Sequence, residues 1–319
     1  MITKNTVLVL GAGASVPYGY PAGLGLWQEI TEWTGGAGQS ISRALRDAND
    51  GDEEISRFHD ALFQSGDMSV DAFLGTRTAF EKIGKRAIAA ALLGHESVGT
   101  LFSESPPNQG RWYKHLYREM VGPALGDFGK NKIAFITFNY DRSLEQFLYV
   151  SLKNKYGGDQ EKCREALEGI RIVHVHGRLA LLPWESKEGF EYDGTVTPDK
   201  IRQSADSIKI IPEVADDAES FSDAHDLLKT AERVYFIGFG YEEANIRRLG
   251  LGHLPREGVR ALAGTSHGLT EKERENALRR LRAAAGPSVP VEFASDEFFG
   301  FGEYDALNDR ARKRATVTH

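Results

Sequence analysis

Short, unbroken apolar runs constrain the fold of this chain more than any other feature. Residues 6–10 (TVLVL) stay apolar up to Gly11. A strand buried on both faces reads this way, because neither face can carry groups that need water. The same texture returns at Ile133 to Thr137 (IAFIT), Arg171 to Val175 (RIVHV), Ile208 to Ile211, Arg233 to Ile237 (RVYFI), Val259 to Ala263 and Val289 to Phe293. Helical patterns lie between most of these runs. Strands alternating with helices predict an α/β chain whose parallel sheet is covered by helices on both faces.

The interval 25–127 breaks the alternation. Val70, Phe73, Leu74, Phe80, Ile83 and Ala87 follow helical spacing. Residues 103–110 (SESPPNQG) read as a loop. Arg111 to Leu125 reads as helix again, with Trp112, His115, Leu116 and Met120 on one side. The block is expected to be a large helical insertion between the first and second strands, set into a core of residues 5–24 and 128–300. Near the C-terminus Thr270 and Glu273 form a capping-box signature, and Gly286-Pro287 stops the helix that follows. Residues 301–319 predict a terminal helix and a basic tail containing Arg310, Arg312, Lys313 and Arg314.

Composition narrows the function. The 319-residue chain carries a net charge of −7, a poor match to direct nucleic-acid binding, which depends on Lys and Arg neutralising phosphates. Its one cysteine, Cys163, allows neither an internal disulfide nor a Cys-based zinc site. The start of the chain lacks the pattern of a signal peptide, and no run approaches the ~20 apolar residues of a membrane span. A cytoplasmic protein without membrane contact is expected.

Gly11-Ala12-Gly13-Ala14-Ser15 follows the first run directly. Glycine at 11 permits a tight turn, glycine at 13 lets backbone approach a ligand, and a following helix N-terminus would suit a pyrophosphate. The fold expected is therefore Rossmann-like. A valine at 13 is expected to block a dinucleotide, and the fold to survive it if the loop is exposed. The dehydrogenase form of the motif fits badly: Val16 stands at the third glycine position, and no second strand ends in an acidic residue about 20 residues on.

Three more segments end strands in the same way: Thr137-Phe138-Asn139-Tyr140-Asp141, His174-Val175-His176-Gly177 and Gly238-Phe239-Gly240-Tyr241. In this order the four segments resemble the sirtuin superfamily, specifically the sirtuin-like NAD hydrolases of bacterial antiviral defence systems. The resemblance covers roughly residues 5–24 and 131–295. Sirtuins show a Gly-Ala-Gly-x-Ser loop, a Thr-Gln-Asn-x-Asp segment and a His-Gly pair. Phe138 replaces the glutamine here, and Ala22, Gly23 and Leu24 stand where deacetylases carry Asp-Phe-Arg. The four-cysteine zinc module of the deacetylases is absent, so no zinc is expected.

The resemblance implies NAD as substrate, with ADP-ribose and nicotinamide as products. It implies that Asn139 binds the ribose and positions a water, and that His176 is the general base. Asp141 would hold the nicotinamide carboxamide. Gly11, Ala12, Gly13 and Ser15 would hold the phosphates, with Pro21 and Gly177 beside the site. Gly238, Gly240 and Asn245 would approach the rest of the dinucleotide. It also implies restraint of activity through a homo-oligomer or a partner such as a HerA-type ATPase. Such a partner would dock on the insertion or the C-terminal segment, where Trp33, Trp112 and Tyr117 are expected to be exposed.

The residue chemistry agrees with those roles and leaves others open. A histidine with pKa near ~6.5 can take a proton at neutral pH, and an asparagine offers a donor and an acceptor in fixed positions. Asn139 and Asp141 could also simply shape a turn. His174 and His176 alternate and are expected on one strand face. A catalytic metal there would need a third ligand, and none has suggestive spacing. His174 reads better as a packed, hydrogen-bonded residue. An NAD-dependent protein deacylase or ADP-ribosyltransferase would share the NAD site, and a non-catalytic nucleotide-sensing subunit would share the fold.

Overall fold

The strand β1 (Thr6–Leu10) lies inside an all-parallel sheet and pairs on one side with β2 (Ile133–Thr137) and on the other with β4 (Arg233–Ile237). With β3 (Arg171–His174), β5 (Ala261–Gly264) and β6 (Val291–Phe293) the order is β3-β2-β1-β4-β5-β6. This is the strand order of doubly wound dinucleotide-binding folds. The computed structural model describes residues 1–32, 36–103, 111–210, 219–255, 259 and 261–293.

The apolar runs become strands because alternate side chains feed two separate cores. Leu8, Leu10, Phe135, Tyr235 and Ile237 join one apolar cluster. Val7, Val9, Ala134, Ile136, Val234 and Phe236 join the other. The run from Ile208 departs from expectation and is not a strand over its described residues, 208–210. Ile208 is buried as the residue ending a helix, and Lys209 N donates to His176 O at 2.8 Å, beyond the end of β3. Over its described residues the run thus buries Ile208 and leaves Lys209 exposed, without joining the ladder.

The first cluster is covered by α1 (Gly23–Thr31), α2 (Gly36–Asp47), α3 (Asp52–Gln64), α4 (Val70–Thr76), α5 (Glu81–Gly94), α6 (Val98–Phe102) and α7 (Trp112–Met120). It is also covered by α8 (Ser143–Tyr156), α9 (Gln160–Glu168) and α10 (Pro198–Ser207). The block between β1 and β2 is helical, as its spacing predicts. It is no appendage: Phe58, Phe73, Ile88 and Leu116 share one continuous cluster with Leu8 and Phe135 of the sheet. Behind the sheet lie α11 (Glu219–Leu228), α12 (Glu243–Leu249) and α13 (Glu271–Ala285). The Thr270–Glu273 capping box forms, and Gly286 ends α13 at φ +89°.

Two surface expectations change. Trp112 is 1% exposed, and its indole Nε1 donates to Ala14 O at 3.0 Å. Tyr117 is half-buried, with its hydroxyl on Ser151 O. On α7 it is Tyr113, not His115, that joins the buried face. Helical spacing alone could not separate these neighbours. Trp33 and the basic cluster of the tail fall outside the described residues. No helix among the described residues is long and apolar enough to cross a membrane.

Candidate active site

All four glycine- and asparagine-bearing loops leave the carboxyl ends of β1, β2, β3 and β4 at one edge of the sheet. The chain turns from one side of β1 to the other at this edge, which is where open α/β sheets bind ligands.

Asn139 stands at its centre. Its side-chain Nδ2 donates to Gly11 O at 3.0 Å and to Ser15 Oγ at 3.1 Å. Gly11 O can only accept, so the amide orientation is fixed: nitrogen faces the β1 loop. Both N–H groups are committed, and the acceptor Oδ1 carries no hydrogen bond from the described residues. Ser15 Oγ donates onward to Asp141 Oδ2 at 2.6 Å. Asp141 Oδ1 accepts from Ser143 N at 3.0 Å and from the Ser143 hydroxyl. Ser143 therefore accepts from the Tyr113 hydroxyl at 2.7 Å. Donors thus run toward Asp141 from both sides. Burial pushes the Asp141 carboxyl up, while the two serines pull it back.

Asp141 is accordingly the anchor of an internal network, with one lone pair on Oδ2 left uncommitted. The turn-forming alternative for Asp141 is realised in the bond from Ser143, two residues on. Sequence reasoning missed Ser143 and Tyr113. The Asp-x-Ser spacing hints at the first. Nothing local marks Tyr113, which arrives from the insertion.

His176 lies apart from this network. Its ring meets Phe138 at 5.4 Å, Phe221 at 6.2 Å and Tyr140 at 6.4 Å between centroids. Among the described residues its ring makes no hydrogen bond. Burial first, then the nearby Arg248 guanidinium, lower its pKa to about 4. The two histidines do not share a face. β3 ends at His174, and the turn through Gly177, at φ +71°, directs His176 toward α11 while His174 faces α8. His174 is packed and hydrogen-bonded, with Nδ1 3.0 Å from Asn139 O and Nε2 2.7 Å from Glu145 Oε1.

The β1 loop differs from expectation. It forms two 3₁₀ turns, Ala12–Ala14 and Val16–Tyr18, and the first α-helix starts only at Gly23. The amides of Gly11, Gly13, Ala14 and Ser15 donate to Ile237 O, Gly238 O, Gly11 O and Ala12 O. They offer no free helix N-terminus to a phosphate. The glycines serve instead to let two loops touch. A Cβ on Gly13 would stand 2.9 Å from Gly238 Cα, and one on Gly238, at φ +57°, only 1.9 Å from Ala14 N.

Gly13→Val is therefore expected to destabilise the fold by ~1–3 kcal/mol through overpacking, contrary to the expectation that the fold survives it. An unchanged urea midpoint would refute this. Gly177 is likewise structural, since its Cβ would meet Ser207 O at 1.9 Å. Gly240 is different: it is exposed, with open space where a side chain would stand. Ala12 and Gly13 are also exposed. Pro21, just before α1, and Asn245, on α12, do not join the hydrogen-bonded network.

No protein-family model matches the chain, and no curated protein matches it.

Proposed function

We propose that this chain is an NAD glycohydrolase, cleaving the nicotinamide–ribose bond in the manner of the sirtuin-like hydrolases its loops resemble. The observation that carries the reading is Asn139. It is a buried amide at the strand-order switch, locked by Gly11 and Ser15 with its acceptor oxygen uncommitted. A locked acceptor suits a water or a ribose hydroxyl, because it orients either without reorganising.

Hydrolysis consumes one water. The water oxygen bonds to the anomeric ribose carbon, the bond to the nicotinamide nitrogen breaks, and its electron pair neutralises the pyridinium ring. One water proton must leave. His176 takes it: with a pKa near 4 the ring is unprotonated at neutral pH. Such a base is ready but weak, so its contribution belongs to the lower part of the ~10²–10⁴-fold range. The exposed Ala12 and Gly240 are the loop positions that leave backbone open to the diphosphate.

The pH dependence follows from His176. Its base form persists down to about 4, so kcat/KM is expected to hold through weakly acidic pH and to fall only near that value. An acidic limb near ~6.5, the ordinary histidine value, would remove this half-buried ring from the base role. Stability moves in the same direction. The unfolded ring takes a proton near ~6.5 and the folded ring only near 4, so acidification through that window favours unfolding.

Chromatography of NAD incubations tests the function, with and without an acylated peptide. Nicotinamide and ADP-ribose without peptide support hydrolysis. Nicotinamide only with peptide supports a deacylase or transferase. Intact NAD that is nevertheless bound supports a nucleotide sensor. As an NAD-depleting defence effector the chain would be held in check until it assembles or meets a partner of the HerA ATPase type. The assay is therefore run across protein concentrations with light scattering.

A further inference from the structure

Behind Asn139 lies a row of charges that the proposed cleavage does not use. His174, 8% exposed, touches Glu145, 4% exposed. Arg178 Nη1 lies 3.2 Å from the same Glu145 oxygen, and Arg178 Nη2 lies 2.8 Å from Glu185. Burial alone would raise the Glu145 carboxyl. His174 and Arg178 outweigh it and bring it down to about 2. Glu145 is thus an anion and can only accept hydrogen bonds.

The other side of the His174 ring faces the backbone carbonyl of Asn139, which also can only accept. A neutral imidazole has one N–H and one lone pair. In this position its lone pair would point at an oxygen whichever tautomer formed. Only a ring carrying two N–H groups would satisfy both contacts. The charges then alternate and cancel along the row: His174 positive, Glu145 negative, Arg178 positive, Glu185 negative. Buried charges persist when they are paired in this way.

We propose that His174 is a positioning residue, held as an imidazolium by Glu145, whose Nδ1–H fixes the Asn139 carbonyl and so the register of the Asn139 amide at the reacting centre. The side chain of Asn139 is held from the front by Gly11 and Ser15, and its backbone from behind by His174. The inference rests on the NAD-cleavage reading only for what Asn139 does once it is in place.

The test compares His174→Ala with His174→Asn, because an asparagine amide can still donate toward the Asn139 carbonyl. His174→Ala is expected to lower kcat for nicotinamide release by ~10-fold to ~10²-fold with KM little changed. His174→Asn is expected to restore most of that loss. Long-range proton–nitrogen NMR of the parent should find both His174 ring nitrogens protonated at neutral pH, and Glu145→Gln should remove one proton. The Asn139 side-chain amide resonances should move in His174→Ala and return in His174→Asn. A bare nitrogen on His174 in the parent, or Asn139 resonances indifferent to both variants, would overturn the proposal. Those spectra need no turnover. A doubly protonated His174 coupled to Asn139 in a protein that leaves NAD intact would sustain the positioning pair and sink the glycohydrolase.

Discussion

Asn139→Ala is expected to release nicotinamide from NAD at least ~10²-fold more slowly than the parent. The substitution removes the uncommitted acceptor at the proposed reacting centre. It also deprives Ser15 of its incoming donor, which loosens the hydroxyl that Asp141 holds. The fold should tolerate the change, because each lost hydrogen bond contributes only ~0.5–1.5 kcal/mol. Asn139→Asp should be no milder. A carboxylate would set an oxygen against Gly11 O and bring a charge close to the buried Asp141 carboxyl. Turnover within threefold of the parent in either folded variant would exclude Asn139 from the chemistry.

Glu96→Ala is expected to lower stability by ~3–5 kcal/mol, read as a shift of the urea midpoint. Arg142 and Glu96 form a two-pronged pair, Nε to Oε1 at 2.6 Å and Nη2 to Oε2 at 2.8 Å, with both side chains 0% exposed. The remaining guanidinium donors reach Ala180 O, Leu181 O and Glu191 O. All five N–H groups are therefore satisfied, and removing Glu96 strands two of them on a buried cation. Glu96 follows α5 in the insertion, while Arg142 precedes α8 beside the site. The insertion and sheet share one apolar cluster, so the loss should move a single transition, not split it into two. A variant as stable as the parent would show that the pair contributes little.

The strands and the four loop segments were legible in the sequence for a physical reason. A strand buried on both faces has to be apolar throughout, and a tight exit from it favours Gly, Asn or Asp. The run at Ile208 misled because a short apolar run reads the same whether or not its backbone joins a ladder. Trp112 misled because an aromatic on a helix does not announce which neighbour covers it. Arg142 with Glu96, Tyr113 with Ser143 and His174 with Glu145 are relations between residues far apart in the chain, and no local pattern encodes them. The glycines of the β1 and β4 loops were visible, but their reason was not. The backbone of one occupies the space a side chain of the other would need.

The place of β1 in the sheet has a consequence for how the protein comes into being. Thr6 pairs with Ile133 on one side and with Arg233 on the other. On the ribosome, β1 is made before either neighbour and waits for both. Its loop, whose glycines fit only against Gly238, cannot take its final shape until β4 has emerged. Pairings this remote in sequence make folding slow, since ends must meet across long intervening chain. A half-made chain therefore lacks the β4 side of the crevice, and the proposed site stays incomplete until β4 has been synthesised.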